Sequence, residues 1–296
     1  GLDRRQGAET LPRSGLDVKP KIWPESFHRS GIASVFAHLV VTSIYTLAAA
    51  TRSEARASLA CPASQPSDFL LQKFPSGNPW PLPGRHLKLP ASTFKIINLL
   101  IALETKTISS ENDVVKWPGT TDTIKYGYRP EIYHDITVKE AFEVSAGWAF
   151  VELAKKIGKD NYKKYLSLCH YGNLDLSQTD ADFWNFGNFK ISPLNQVEFL
   201  KNLYDEKLPF SKRNMQIVKK VMLTEQNSDY TIYSKTGWTR ENEINTGWWV
   251  GYIVNNNGAY FFATRLLQDR KINSTAFGNC RKDITKSVFK DLNIVK

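Results

Sequence analysis

Apolar positions along the chain keep two different periods, and the change from one to the other outlines the architecture. After Ser92, residues Ile96, Leu99, Leu100 and Leu103 recur at three- and four-residue spacing, which predicts a helix with Ser92 on its first turn. Thr137 and Glu140 read as a capping box before Ala141, Phe142 and Val144. Ser192 and Pro193 supply an N-cap and a first-turn proline for a helix to about Glu206, and Ser211 caps another through about Leu223. The period then becomes that of strands, over 230–235, 247–254 and 259–266, with a turn at Asn255-Asn256-Asn257-Gly258 between the last two. Ile284, Val288, Phe289 and Leu292 predict a terminal helix that packs on the resulting antiparallel sheet. Separate blocks of helix and strand define a mixed α/β class of the α+β kind.

The first 88 residues keep neither period. Between Asp68 and Leu89 turn formers dominate, in Pro75-Ser76-Gly77-Asn78-Pro79, Pro81 and Pro83-Gly84. Composition breaks at the same place: residues 1–88 hold seven Arg, four Lys and a single Asn, whereas residues 89–296 hold six Arg, 22 Lys and 18 Asn. We therefore expect an atypical, poorly ordered N-terminal segment over 1–70 and a single large domain over 71–296. Residues 31–50 are mostly apolar, follow Lys19, Lys21 and Arg29 and end in small residues, as an export signal does. Ser34, His38, Thr42 and Ser43 interrupt the run, and an unremarkable apolar stretch is the other reading. The export reading implies a periplasmic or secreted bacterial protein that meets the membrane only transiently.

Net charge narrows the partners. It is +10, but the lysines are spread along the chain, so no clustered basic surface for nucleic acid is expected. Cys61, Cys169 and Cys280 allow at most one bridge and form no CxxC pair. His28, His38, His86, His134 and His170 never fall at spacings that put two imidazoles on one metal. No metal is expected.

Candidate chemistry begins at Ser92-Thr93-Phe94-Lys95, where a hydroxyl and an amine share one helical face beside the positive end of the helix, which suits an oxyanion. SxxK alone is common. Lys235-Thr236-Gly237, at the end of a predicted strand, offers a fixed cation and a residue that lets substrate approach the backbone, and Ser145 lies between the two motifs at the end of a capped helix. Taken together, in this order, they form the constellation of penicillin-recognising serine enzymes.

Over about 89–296 the chain resembles the class D, oxacillinase-type serine β-lactamases. The resemblance rests on Leu89 through Lys95, Tyr171-Gly172-Asn173, Phe183-Trp184, Ile191-Ser192 with Gln196 through Leu200, Ser234 through Trp238, and Gly247-Trp248-Trp249-Val250-Gly251. It implies a β-lactamase/transpeptidase-like fold: an all-helical lobe and a lobe with a five-stranded antiparallel sheet flanked by helices, the site between them. It also implies hydrolysis of a β-lactam through an acyl-serine on Ser92, with Lys95 as base after carbon dioxide converts its amine to a carbamate. Only a neutral amine adds carbon dioxide, and burial lowers a lysine pKa by up to ~3–5 units, which suits this role.

By the same resemblance, Trp184 Nε1 donates to the carbamate, although in isolation it reads as a core tryptophan. Ser145 relays a proton toward the leaving nitrogen beside Lys235, while Thr236 and Arg281 hold the substrate carboxylate. Arg281 rests only on its place before the final helix and reads equally as a surface arginine. The N–H groups of Ser92 and Trp238 form the oxyanion hole, with Gly237 between the motif and the substrate. Tyr171-Gly172-Asn173 is structural, no cofactor beyond carbon dioxide is implied, and a homodimer is compatible.

Two departures stand out. Where the family has a branched apolar residue two positions after the middle serine, this chain has Gly147, which leaves space near the proposed carbamate. Residues 1–88 also offer no good candidates for the strands that lead into the nucleophile helix in the family; their loss would leave sheet edges unpaired. Three alternatives follow: a penicillin sensor that stays acylated, a transpeptidase, and an inactive remnant.

Overall fold

A computed structural model describes residues 40–42, 68–72, 87–272 and 276–296. In chain order its elements are β1 (Val40–Thr42), β2 (Asp68–Gln72), a 3-10 turn (Ala91–Phe94) running into α1 (Lys95–Glu104), β3 (Val114–Val115), α2 (Thr123–Tyr126), a 3-10 turn (Pro130–Ile132), β4 (Ile136–Thr137), α3 (Val138–Glu143), α4 (Gly147–Ile157), α5 (Lys159–Leu168), α6 (Phe183–Phe186), α7 (Pro193–Tyr204), α8 (Lys212–Val221), β5 (Leu223–Gln226), β6 (Tyr230–Glu241), β7 (Ile244–Asn255), β8 (Gly258–Asp269) and α9 (Phe277–Asp291).

Local signals place several of these. Thr137 Oγ1 accepts from Glu140 N–H, Ser192 Oγ from Asn195 N–H and Ser211 Oγ from Asn214 N–H, so α3, α7 and α8 start where the caps predict. Val144, expected on the apolar face, lies beyond α3 and is exposed. Helix α1 is buried all round from Lys95 to Leu103, so it runs through the centre of the helical lobe instead of lying on its surface.

The main sheet has the order β1-β2-β8-β7-β6-β5 and is antiparallel throughout. Among the described residues six strands, not five, make it up. The two extra-edge positions are taken by β1 and β2, from the region that offered no alternating candidates: Asp68–Gln72 pairs with β8, Leu70 opposite Ala263, and Val40–Thr42 pairs with β2. Strands of five residues or fewer give a period-two pattern little room to show. The expectation of unpaired sheet edges is thereby corrected. The rest of the 31–50 run lies outside the described residues.

Strand β6 is also longer than predicted. It continues past Lys235-Thr236-Gly237 to Glu241, because β6 and β7 pair in register from Tyr230↔Asn255 to Glu241↔Ile244. Asn242 and Glu243, both at positive φ, form the tight turn whose backbone twist suits such a hairpin. On one face of the sheet α9 packs Phe289 against Trp249 and Phe262. On the opposite face Tyr204, at the end of α7, meets Tyr252 and Phe261. Among the described residues no helix is long and apolar enough to cross a membrane.

Candidate active site

Ser92 lies in the 3-10 turn ahead of α1, and that turn is anchored from several directions. Trp248 Nε1 of β7 donates to Leu89 O at 2.9 Å, Thr93 Oγ1 to Pro90 O at 2.7 Å, and Gln196 Nε2 of α7 to Thr93 Oγ1 at 2.8 Å. Tyr171 Oη donates in turn to Gln196 Oε1 at 3.3 Å, which makes the buried Tyr171, at the head of Tyr171-Gly172-Asn173, a support of the turn. Ala91 has φ 52°, a left-handed conformation that costs a non-glycine residue about 1–3 kcal/mol. These anchors hold the strained turn with Ser92 lining a cleft of about 570 Å³.

Lys95 follows one turn later. Its Nζ donates to Ser92 Oγ at 2.6 Å, and the residue is 1% exposed. Burial lowers its amine to about 7, partly opposed by the Asp182 carboxylate and reinforced by Arg129. A large share of the amine is therefore unprotonated near neutral pH.

Ser145 joins α3 to α4 and itself has φ 60°, a second strained residue at the same cleft. Lys235 Nζ, from β6, donates to Ser145 Oγ at 3.0 Å. Lys235 is buried too, and burial, with the charges of Lys95 and Arg281, pushes its amine well below the ordinary lysine range.

Strand β6 reaches the cleft because its partner is short. The pairing of β5 with β6 ends at Leu223↔Tyr233, and beyond it Thr236, Gly237 and Trp238 line the cleft. A Cβ on Gly237 would stand 2.9 Å from Pro90 O and 3.2 Å from Thr93 N, so a glycine is what allows β6 to lie against the nucleophile turn. Ser92 and Trp238, whose N–H groups the resemblance assigns to an oxyanion hole, line the cleft on the two sides of this contact.

Arg281 of α9 is a cleft residue, not a surface one. It is 9% exposed, donates from Nη1 to Gly237 O at 3.3 Å and lies 5.9 Å from the Trp238 ring centroid. Burial lowers its guanidinium to about 10, which leaves it cationic at neutral pH. Lys125, Arg129, Arg240 and Arg270 line the same cleft, so its field favours an anionic ligand.

Trp184 lies beneath the cleft, 1% exposed, with its ring stacked on Phe94 at 4.9 Å. Among the described residues its Nε1 has no hydrogen-bond partner. Buried donors are rarely left so, and this one belongs to a ring stacked on the residue that precedes Lys95. The space expected at Gly147 is bounded by Tyr126: a Cβ there would fit in ordinary contact, 3.5 Å from Cδ1 of that ring. Sequence reasoning missed Tyr126, Asp182 and Asn185. Asp182 stands before Phe183-Trp184 where an acidic residue reads as a helix cap, and nothing in the pattern announces that its carboxylate faces Tyr126.

A serine on a helix-leading turn, two buried lysines each bonded to a serine, and a basic strand edge together make the constellation found in penicillin-recognising serine enzymes. The family model for the penicillin-binding protein transpeptidase domain matches residues 88–292. Over 178 residues the chain is 42% identical to β-lactamase OXA-10 of Pseudomonas aeruginosa, covering 59% of this chain and 65% of that enzyme, just under two thirds of its length. The crystal structure of the class D β-lactamase from Sebaldella termitidis superposes with a TM-score of 0.66 at 39% identity, covering 71% of this chain and 83% of that one. Regulatory protein BlaR1 of Bacillus licheniformis is 34% identical over 200 residues, which cover 67% of this chain and 32% of that protein. The chain belongs to the class D β-lactamases, within the transpeptidase-domain family.

Proposed function

We propose that this protein hydrolyses β-lactam antibiotics through an acyl-serine on Ser92. The observation that carries the reading is the pairing of Lys95 Nζ with Ser92 Oγ at 2.6 Å while Lys235 Nζ holds Ser145 Oγ at 3.0 Å beside the same cleft. Ser92 Oγ attacks the lactam carbonyl carbon as its proton moves to the Lys95 side chain. The backbone N–H groups of Ser92 and Trp238 stabilise the oxyanion, a contribution of ~2.7–4 kcal/mol per donor in comparable sites. The ring C–N bond then breaks, and the nitrogen takes a proton from Ser145 Oγ, which is resupplied from Lys235 Nζ. Thr236 and Arg281 hold the substrate carboxylate throughout. Water then attacks the ester carbonyl, the bond to Ser92 Oγ breaks, Ser92 takes back the proton held on Lys95, and the proton released by water replaces the one Lys235 gave up.

Carbon dioxide bound to Lys95 Nζ would supply an anionic oxygen base in place of the amine, and Trp184 Nε1 is the buried donor that would hold it. With Lys95→Ala, hydrolysis of penicillin should fall by at least about a thousandfold and lose any response to added bicarbonate. Activity that survives this change and ignores bicarbonate removes Lys95 as the base.

Likeness to the regulatory protein favours a second reading, a domain that stays acylated. Mass spectrometry after mixing with penicillin separates the two: a transient adduct with released product supports hydrolysis, and a lasting adduct supports the regulatory role. The substrate implies action outside the cytoplasmic membrane, in keeping with the basic-then-apolar run that ends near residue 50; cell fractionation tests it.

A further inference from the structure

Asp182 is a buried carboxylate that the reaction above does not use. It is 2% exposed and stands at the start of α6, yet its side chain caps no backbone N–H of that helix. Its two oxygens are instead held by side chains: Tyr126 Oη donates to Oδ2, and Asn185 Nδ2 donates to Oδ1 at 2.7 Å. Tyr126 comes from α2, lines the cleft with Ser92 and Ser145, and lies in contact distance of the Gly147 position. Asn185 is fixed from β6 by Thr239 Oγ1, which donates to its backbone oxygen. The carboxylate is thus clamped between the cleft wall and the segment that carries Trp184.

Trp184, two residues after Asp182, stacks on Phe94, the residue before Lys95, and the charge of the carboxylate reaches that lysine. Asp182 holds the lysine proton on, against burial, while Lys125 and Lys95 in turn favour the ionised carboxylate. Burial pushes Asp182 up to about 6, so it is mainly anionic at neutral pH. When carbon dioxide adds to the neutral amine, an Nζ–C bond forms, one N–H proton goes to solvent, and the side chain becomes an anion. A fixed carboxylate nearby disfavours a second negative charge.

We propose that Asp182, clamped by Tyr126 and Asn185, is a positioning residue that sets how loosely Lys95 holds carbon dioxide. This rests on Lys95 being the carbon dioxide acceptor of the proposed reaction. The protein then loads only partly at low bicarbonate.

The test is titration of the full chain with 13C-bicarbonate at one fixed, mildly alkaline pH, with the carbamate carbon read by 13C NMR. Asp182→Asn, which keeps the shape and removes the charge, should tighten the apparent dissociation constant roughly tenfold, the equivalent of about one pKa unit. Tyr126→Phe removes one donor from the carboxylate and should tighten it by a smaller factor, roughly two- to threefold. A purely structural role would lower Tm in both variants without tightening the constant. Constants equal to or weaker than wild type, with a wild-type carbamate signal present, overturn the role of Asp182 and leave the acyl-serine reading standing. A signal that appears only in Asp182→Asn supports it. No carbamate carbon in any of the three removes Lys95 as acceptor and the proposal with it.

Discussion

At the scale of single residues, the site stores unfavourable terms that the rest of the fold must offset. Lys95 gives up its proton near 7 in the folded state and near 10.5 when unfolded. Below pH 7 both states hold the proton and the folded chain bears the whole desolvation cost; between 7 and 10.5 the unfolded state binds protons that the folded state lacks, so stability recovers as pH rises. Lys95→Met should therefore melt higher than wild type at pH 6, by an amount on the order of 4 kcal/mol at most, and the advantage should shrink by pH 9. Thermal melts at the two pH values check this, and a pH-independent difference would contradict the buried amine. The residues that bear these costs were the legible ones. Ser92, Lys95, Ser145 and Lys235 were singled out from the sequence, and the structure brings Ser92 and Ser145 to one cleft with Lys95 and Lys235 bonded to them. Tyr126 and Asp182 were illegible because their partnership joins two short segments far apart in the chain, each of which reads locally as a cap or a loop.

At the scale of elements, close approach matters more than area. The contact of β6 with the nucleophile turn depends on the absence of a side chain at position 237. Gly237→Ala should push the strand outward by tenths of an ångström, lowering kcat/KM about tenfold, less than the roughly hundredfold that a full 1 Å misplacement costs, while Tm changes little. A large drop in Tm with unchanged activity of the folded fraction would speak against this placement. Caps and hairpin signals let α3, α7, α8 and the β6–β8 block be read in advance, because each is fixed by chemistry within a few residues. The ends of β6 were not legible: its last third is polar, and only pairing with β7 makes it a strand. The same holds for β2, whose backbone pairing with β8 is a long-range event. Leu70→Pro places in β2 a residue that cannot donate to a ladder and should lower the midpoint in urea. An unchanged midpoint would argue that β2 contributes no pairing.

At the scale of the whole molecule, a net charge of +10 and a cleft lined by Lys125, Arg129, Arg240, Arg270 and Arg281 should attract anionic antibiotics from a distance. Raising ionic strength from 0.01 to 0.5 M shortens the Debye length from about 30 Å to well under 10 Å, so kcat/KM for a carboxylate-bearing β-lactam should fall severalfold while kcat stays nearly constant. Equal loss for a neutral substrate analogue would assign the effect to something other than steering. Composition gave the charge but not its concentration at the cleft, since the lysines and arginines involved come from α2, the loop after it, β6, the β8 end and α9.

The seat that Gly237 offers to Pro90 carries a consequence for biosynthesis. The nucleophile turn leaves the ribosome before the strand that holds it and before the tryptophan at 248 that bonds to Leu89. Contacts of such high sequence separation form late in folding. A nascent chain stalled before residue 237 should consequently expose a helix-leading serine that no penicillin can acylate, and reactivity toward the drug should switch on only when the last strands have emerged.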